Sequence, residues 1–318
     1  MGSVANYNAT SSSVKEFIIF GFPSLHDVQT LLFGIFFPIY LFTITGNTVI
    51  LLLIWLDQHL HTPMYFFVSN LSFLDISYTS VTVPKMLAKF LMNSSTISYS
   101  GCFVQMYFFI SLIVTESLLL TVMAYDRYLA ICTPLHYPMY MTKKLCFCLC
   151  TTAWIGGFML PFSTFILALK LPFCGPNVIH HYYCDLPPLM QLACADTSVN
   201  IAVGSSVSAI VLGVTFFLVV TSYIKIIASI LKISSNKERR KTFSTCASHF
   251  LVVNLFFLPL AFMYIRPTAS YSSDVDSLVA MVYSMMTPML NPVIYSLRNQ
   301  EFKGAFRKQM KFNRASFM

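Results

Sequence analysis

Residues 100–133 read SGCFVQMYFFISLIVTESLLLTVMAYDRYLAICT. From Gly101 to Tyr125 the only charged side chain is Glu116, and the run then meets the adjacent pair Asp126-Arg127. A helix rises 1.5 Å per residue, so about 20 apolar residues cross the roughly 30 Å of bilayer hydrocarbon. This stretch exceeds that length and must tilt or project into water. Working outward, six further runs have the same character, at 28–56, 63–91, 143–168, 199–232, 240–265 and 275–297. The fold expected is therefore an all-α membrane protein, a bundle of seven transmembrane helices followed by a short amphipathic eighth.

Composition agrees. The 318 residues are 56% hydrophobic and 10% charged, where a soluble domain carries about 25% charged residues. Such a chain lacks the polar surface to cover a water-soluble globule. The net charge of +8 does not point to nucleic acid, because the cations lie in short segments between apolar runs rather than on one aromatic-laced face. Residues 1–27 are polar and lack the apolar core of a secretory signal, so the first span is expected to insert itself. Prolines 38, 84, 161, 259, 288 and 292 fall inside spans, which membrane helices tolerate where neighbours satisfy the freed carbonyls. No internal repeat is visible. The division expected is an extracellular N-terminus at 1–27, one seven-helix transmembrane domain at 28–297, and a cytoplasmic amphipathic helix and tail at 298–318.

Orientation follows from Lys and Arg. With the N-terminus outside, five cations face outward (Lys15, Lys85, Lys89, Lys170 and Arg266) and the other 15 of 20 face inward. The sequon at Asn8 then lies outside, open to glycosylation; the one at Asn93 sits too close to the bilayer to be the preferred acceptor. Cys102, Cys174, Cys184 and Cys194 fall on the outer, oxidising side, where four cysteines allow three pairings; loop closure favours tying the second outer loop to the third span. Near the end of the chain, Phe302, Phe306 and Met310 alternate with Lys303, Arg307, Lys308 and Lys311, the pattern of a helix lying on anionic lipid.

Ionisable residues within spans are costly and mark function. Asp75 in the second span and Glu116 in the third sit at similar depth. Two such carboxylates repel unless they share a cation or protons, which leaves two readings: a sodium ion between Asp75 and Glu116, or protonated and hydrogen-bonded acids. No cofactor other than this ion is expected. His180-His181-Tyr182-Tyr183-Cys184-Asp185 has metal-binding residue types, but an oxidised Cys184 would leave only two imidazoles and a carboxylate. A light sensor would need a Schiff-base lysine in the seventh span, and residues 275–297 contain none. A transporter would show inverted repeats or broken helices. No nucleophile–base pair stands out, so an enzyme is not expected.

Five motifs in order carry a resemblance: Gly46-Asn47; His61-Thr62-Pro63-Met64-Tyr65-Phe66-Phe67; Met123-Ala124-Tyr125-Asp126-Arg127-Tyr128-Leu129-Ala130-Ile131-Cys132; the stretch from Lys241 to His249, KTFSTCASH; and that from Pro288 to Asn299, PMLNPVIYSLRN. Together they resemble the vertebrate odorant receptors of the tetrapod-expanded class, a branch of the rhodopsin-like G-protein-coupled receptors, over about residues 17–308. The resemblance implies a receptor for small, mostly apolar volatile molecules in the plasma membrane of olfactory cilia. It would act through a stimulatory G protein (Gs or Golf alpha) and raise cyclic AMP.

It also implies roles. Asp126 would hold Arg127 at rest and release it toward the G protein. Tyr128, Pro134, His136 and Tyr137 would complete the docking surface, and His249, Asn291, Pro292 and Tyr295 the internal switch. The implied disulfides are Cys102–Cys184 and Cys174–Cys194. By analogy the ligand pocket lies among the outer halves of spans three, five, six and seven, with Phe109, Ile110, Ile113, Val114, Ser205, Ser208, Val211, Phe257, Ala261, Tyr264 and Ser284 as candidates, a set without charge. One departure is Phe256-Phe257-Leu258-Pro259 in the sixth span, where many relatives carry Phe-Tyr-Gly.

Overall fold

The computed structural model describes residues 14–21, 28–92, 95–174, 176–265, 273–297 and 302–309; Asn8 and Asn93 lie outside them. The apolar runs become helices α1 (Gln29–Leu56), α2 (Pro63–Met92) and α3 (Tyr99–Cys132). After a single turn of helix, α4 (Tyr137–Tyr140), the fourth span is split into α5 (Lys143–Met159) and α6 (Phe162–Leu169). A loop helix, α7 (Leu186–Met190), precedes α8 (Ser198–Leu231) and α9 (Asn236–Ile265). The seventh span comprises α10 (Ser273–Met281), a π-helical segment (Val282–Met286) and α11 (Thr287–Leu297). Residues 302–309 form α12.

Among the described residues five stretches are long and apolar enough to cross a bilayer: Gln29–Leu56, Tyr99–Cys132, Lys143–Leu169, Ser198–Leu231 and Val275–Tyr295. Helix α2 is more polar because it is enclosed by neighbours that supply partners. Asn70 Oδ1 accepts from Trp154 Nε1 at 3.2 Å and from Cys150 Sγ at 3.0 Å, and Tyr40 and Ser80 hydroxyls meet at 3.2 Å. The centre is α3, which packs on α2, α5, α8 and α9; 67% of its apolar window is buried, against 28% for α1 and α8. Close approach of α3 and α5 requires Gly157, whose missing Cβ would collide with the Thr115 side chain.

Several of the prolines are offset by donors from other helices. A proline removes an N–H and leaves a carbonyl one turn back without its bond. Pro292 frees the Pro288 carbonyl, which takes Asn47 Nδ2 at 3.1 Å. Pro259 frees the Leu255 carbonyl, which shares the Thr287 hydroxyl, at 3.4 Å, with the Val282 carbonyl at 3.1 Å. Near Pro84 and Pro161, the carbonyls of Val81 and Phe158 accept Gln105 Nε2 and Tyr107 Oη, both at 2.8 Å. At the end of the π segment the Thr287 N–H bonds five residues back, to the Val282 carbonyl. Pro288 has no N–H for the Tyr283 carbonyl, which is taken instead by Tyr78 Oη at 2.6 Å. Gly46 completes the design: a Cβ there would lie 3.1 Å from Pro292, so glycine lets α11 seat against α1.

One end of the bundle is capped by a sheet that hydropathy did not foretell. Strand β1 (Glu16–Ile19) is central, antiparallel to β2 (Thr96–Ser98) and parallel to β3 (Val178–Ile179). Lys89 Nζ donates to the Phe20 carbonyl beside it. Cys102 is bonded to Cys184 across 5.4 Å between Cα atoms, and Cys174 to Cys194 across 5.9 Å, the pairing the resemblance implied.

Candidate functional site

Beneath the capped end lies a cavity of about 100 Å³, the order of size at which apolar protein cavities accept a benzene-sized guest. Its walls are Ile110, Ile113, Val114 and Ser117 of α3, the Pro161–Thr164 turn, and Gly204, Ser205, Val207, Ser208, Val211 and Leu212 of α8. Leu260, Met263 and Tyr264 of α9 close one side, and Leu186, Pro187 and Met190 of α7 the roof. No lining residue is charged.

The expected pocket residues thus divide. Ile110, Ile113, Val114, Ser205, Ser208, Val211 and Tyr264 are brought together around the cavity. Phe109, Phe257, Ala261 and Ser284 do not line it. The reason is the long loop, which enters the bundle between α3 and the seventh span. Tyr182 Oη bonds Ser284 Oγ at 2.6 Å and Tyr183 Oη bonds Tyr283 Oη at 2.8 Å, while the Tyr183 ring packs on Phe109 at 4.4 Å. Gln105 Oε1 accepts the Cys184 N–H at 3.0 Å. Those tyrosines occupy the space from which span seven would have faced a ligand. Phe257 is buried against Phe216 and Phe256.

Sequence reasoning did not reach the roof. Its signal was Asp185-Leu186-Pro187-Pro188, an N-cap acid followed by prolines that suit the first helical turn. Asp185 Oδ1 does accept the Leu186 N–H at 2.8 Å, and its other oxygen takes Tyr264 Oη at 2.9 Å. Tyr264 therefore touches both cavity and roof. Burial pushes the Asp185 carboxyl up to about 6 and the enclosed His181 imidazole down to about 3. Among the described residues no cluster of three or more His, Cys, Asp or Glu side chains is placed to hold a metal.

At the bundle's middle, Asn291 Nδ2 donates to both Asp75 oxygens at 2.9 and 3.2 Å. Both Glu116 oxygens and Asn291 Oδ1 are buried without a hydrogen-bond partner. At the end opposite the sheet, Arg127 holds Asp126 Oδ2 through Nη2 at 2.8 Å and Nε at 3.1 Å. Tyr137 Oη donates to the remaining oxygen at 2.7 Å, and burial, joined by this carboxylate, raises the phenol's pKa. Tyr128 lies under Lys225 Nζ, 5.4 Å from its ring centre. Pro134 and His136 are exposed. His249 is buried, its Nδ1 2.6 Å from Tyr223 Oη, and Tyr295 Oη is buried and unpaired. Pro292 is buried against Gly46. The residues expected to couple to a G protein thus separate into an exposed surface, a closed ion-pair latch and an internal polar chain.

A helical bundle of seven spans, with an uncharged internal cavity under a disulfide-tied lid and a charged latch at the far end, defines a multi-pass membrane receptor. The olfactory receptor family profile matches residues 36–312. Human olfactory receptor 6N1 is 52% identical over 300 residues, covering 94% of this chain and 96% of the relative. Mouse olfactory receptor 6B9 is 45% identical over 96% of both chains, and human olfactory receptor 5A1 is 47% identical over 95% of this chain and 96% of its own. The chain belongs to the olfactory receptor family, a family of G-protein-coupled receptors and not of enzymes.

Proposed function

We propose that this receptor binds small, mostly apolar, uncharged volatile molecules in the cavity between α3, α8, α9 and α7, and activates a stimulatory (Gs or Golf alpha) G protein to raise cyclic AMP. The observation that carries this reading is the cavity's lining, apolar with a few hydroxyls and no ion, as suits a guest held by dispersion and one or two hydrogen bonds. The Asp126–Arg127 latch supports the second half, since a buried-side ion pair at a helix end has two discrete arrangements for a partner to select. The distribution of Lys and Arg supports an N-terminus outside, with Asn8 available for glycosylation, and the family likeness supports a place in the plasma membrane of olfactory cilia. A diverse odorant panel on cells carrying a cyclic-AMP reporter tests the proposal. Some compounds should raise the signal, and Ser208→Phe, which fills the cavity, should abolish the response at normal surface expression. A wild-type chain at the surface that answers no compound, or an undiminished Ser208→Phe response, refutes it.

A sodium ion is part of the proposal. The unpaired oxygens of Glu116 and Asn291, with the Asp75 carboxylate beside Asn291, form the oxygen-rich donor set that hard cations take. Sodium would neutralise carboxylates that are otherwise expensive inside a membrane. By stabilising the latched state it would oppose agonist. Replacing sodium with potassium at constant ionic strength should raise agonist potency in purified receptor, and Glu116→Gln should remove that difference. Equal potency in both salts would mean protonated acids.

A further inference from the structure

Away from the ligand cavity, a groove of about 550 Å³ opens between α1, α11 and α12. Its walls include Phe42 and Val49 of α1, Pro292 of α11, and Phe302 and Phe306 of α12, with Lys303 and Arg307 at the α12 side. We infer that this groove is a binding site for one anionic phospholipid, its phosphate between Lys303 and Arg307 and an acyl chain along α1.

Three observations converge. First, the groove has the shape and polarity of a lipid. Phe42 and Val49 are seven residues apart, about 10 Å along the helix axis, and both are exposed, as is Phe306. The apolar wall thus runs from the α12 side toward the middle of the bilayer. Second, Lys303 and Arg307 stand four apart on one helix face, where like charges repel unless an anion lies between them. Among the described residues neither is paired with a carboxylate; the nearby Lys308 is the cation that Asp57 takes, at 3.8 Å. That contact joins α12 to the end of α1. Third, Phe302 is buried, so the floor is built into the fold and is not a free helix floating on the surface. General attraction of a basic helix to an anionic leaflet would need no groove. The groove adds a seat for the chain. Because Pro292 lies in its wall, the occupant touches the contact of α11 with Gly46 of α1.

The test uses purified full-length receptor reconstituted in nanodiscs of equimolar phosphatidylcholine and phosphatidylserine, moved to mild detergent, with bound lipid identified by native mass spectrometry. Each cation near a lipid surface contributes about a fivefold preference, so phosphatidylserine should be retained about 25-fold over phosphatidylcholine. Lys303→Gln with Arg307→Gln should abolish the enrichment, while Lys303→Arg with Arg307→Lys should keep it. Val49→Trp fills the acyl seat with both charges intact and should also lose the retained lipid. Retention unchanged in Val49→Trp reduces the effect to surface charge and overturns the proposal. So do retention unchanged in the double Gln variant, loss in the charge-preserving swap, or a lipid-free dimer cross-linked through Phe42 and Phe306.

Discussion

Removing one oxygen from Tyr78 isolates the cost of leaving a proline-freed carbonyl unsatisfied. Tyr78 Oη donates to the Tyr283 carbonyl at 2.6 Å, within a fully buried setting. Tyr78→Phe keeps the ring that packs on Phe109 and deletes only that donor. An unsatisfied buried carbonyl costs about 1–3 kcal/mol, and hydrogen bonds between membrane helices average about 0.6 with a maximum near 1.7 kcal/mol. The Tyr283 carbonyl has no other donor because the residue whose N–H would reach it is Pro288, so we expect the upper end, about 1.5 kcal/mol. In a Pro288→Ala background the restored N–H can take over, and the same Tyr78→Phe change should cost under about 0.5 kcal/mol. The quantity to measure is the coupling in a double-mutant cycle, by thermal unfolding of purified receptor in one detergent. Equal costs of Tyr78→Phe in both backgrounds would refute the assignment of Tyr78 to the proline's missing bond.

Arg127→Ala should abolish odorant-driven cyclic AMP while leaving surface expression within about twofold, since Tyr137 Oη still donates to the Asp126 carboxylate; full signalling from a well-expressed variant would contradict the latch. Cys102→Ser, Cys184→Ser and the double variant should lose surface expression to the same degree, because each leaves the same bond unmade at about 2–5 kcal/mol; a clearly worse double variant would argue against that equivalence. Asp185 gives a pH signature. Its carboxyl sits at about 6 when folded, above its ordinary value, so the folded chain gains a proton as pH falls and the unfolded chain does not. Stability should rise by about 1 kcal/mol from pH 7 to pH 5, keep rising through pH 4 and level off below about pH 3, and Asp185→Asn should flatten that rise. The same slope in Asp185→Asn would assign it elsewhere.

The spans were legible because a membrane helix needs no partner to be recognised: α1, α3 and α8 each begin and end within a residue of the apolar runs that announced them. What hydropathy could not give were features made by contact. The split at Pro161 and the π segment before Pro288 depend on which neighbour supplies a hydroxyl or an amide. Strands of two to four residues carry too little periodicity to be seen. The pocket was readable on α3 and α8, whose small and apolar residues face inward in register. It was misplaced on the seventh span because no local pattern says that Tyr182 and Tyr183 will be driven into the bundle. Glu116 was visible as a lone acid, but its lack of a hydrogen-bond partner required coordinates.

The central position of β1 has a practical meaning for anyone handling this receptor. Its N-terminal segment is a keystone between two loops: Ile18 N–H bonds Asn177 and Phe20 N–H bonds Ile179, while Tyr99 N–H bonds Lys15. A purification tag or fluorescent fusion placed ahead of residue 14 leaves those bonds alone. A truncation that trims into residues 15–20 unpairs both flanking strands at once and removes one tie of the loop that roofs the cavity, so a shortened receptor that still reaches the cell surface should trap its ligands less well, not merely express less.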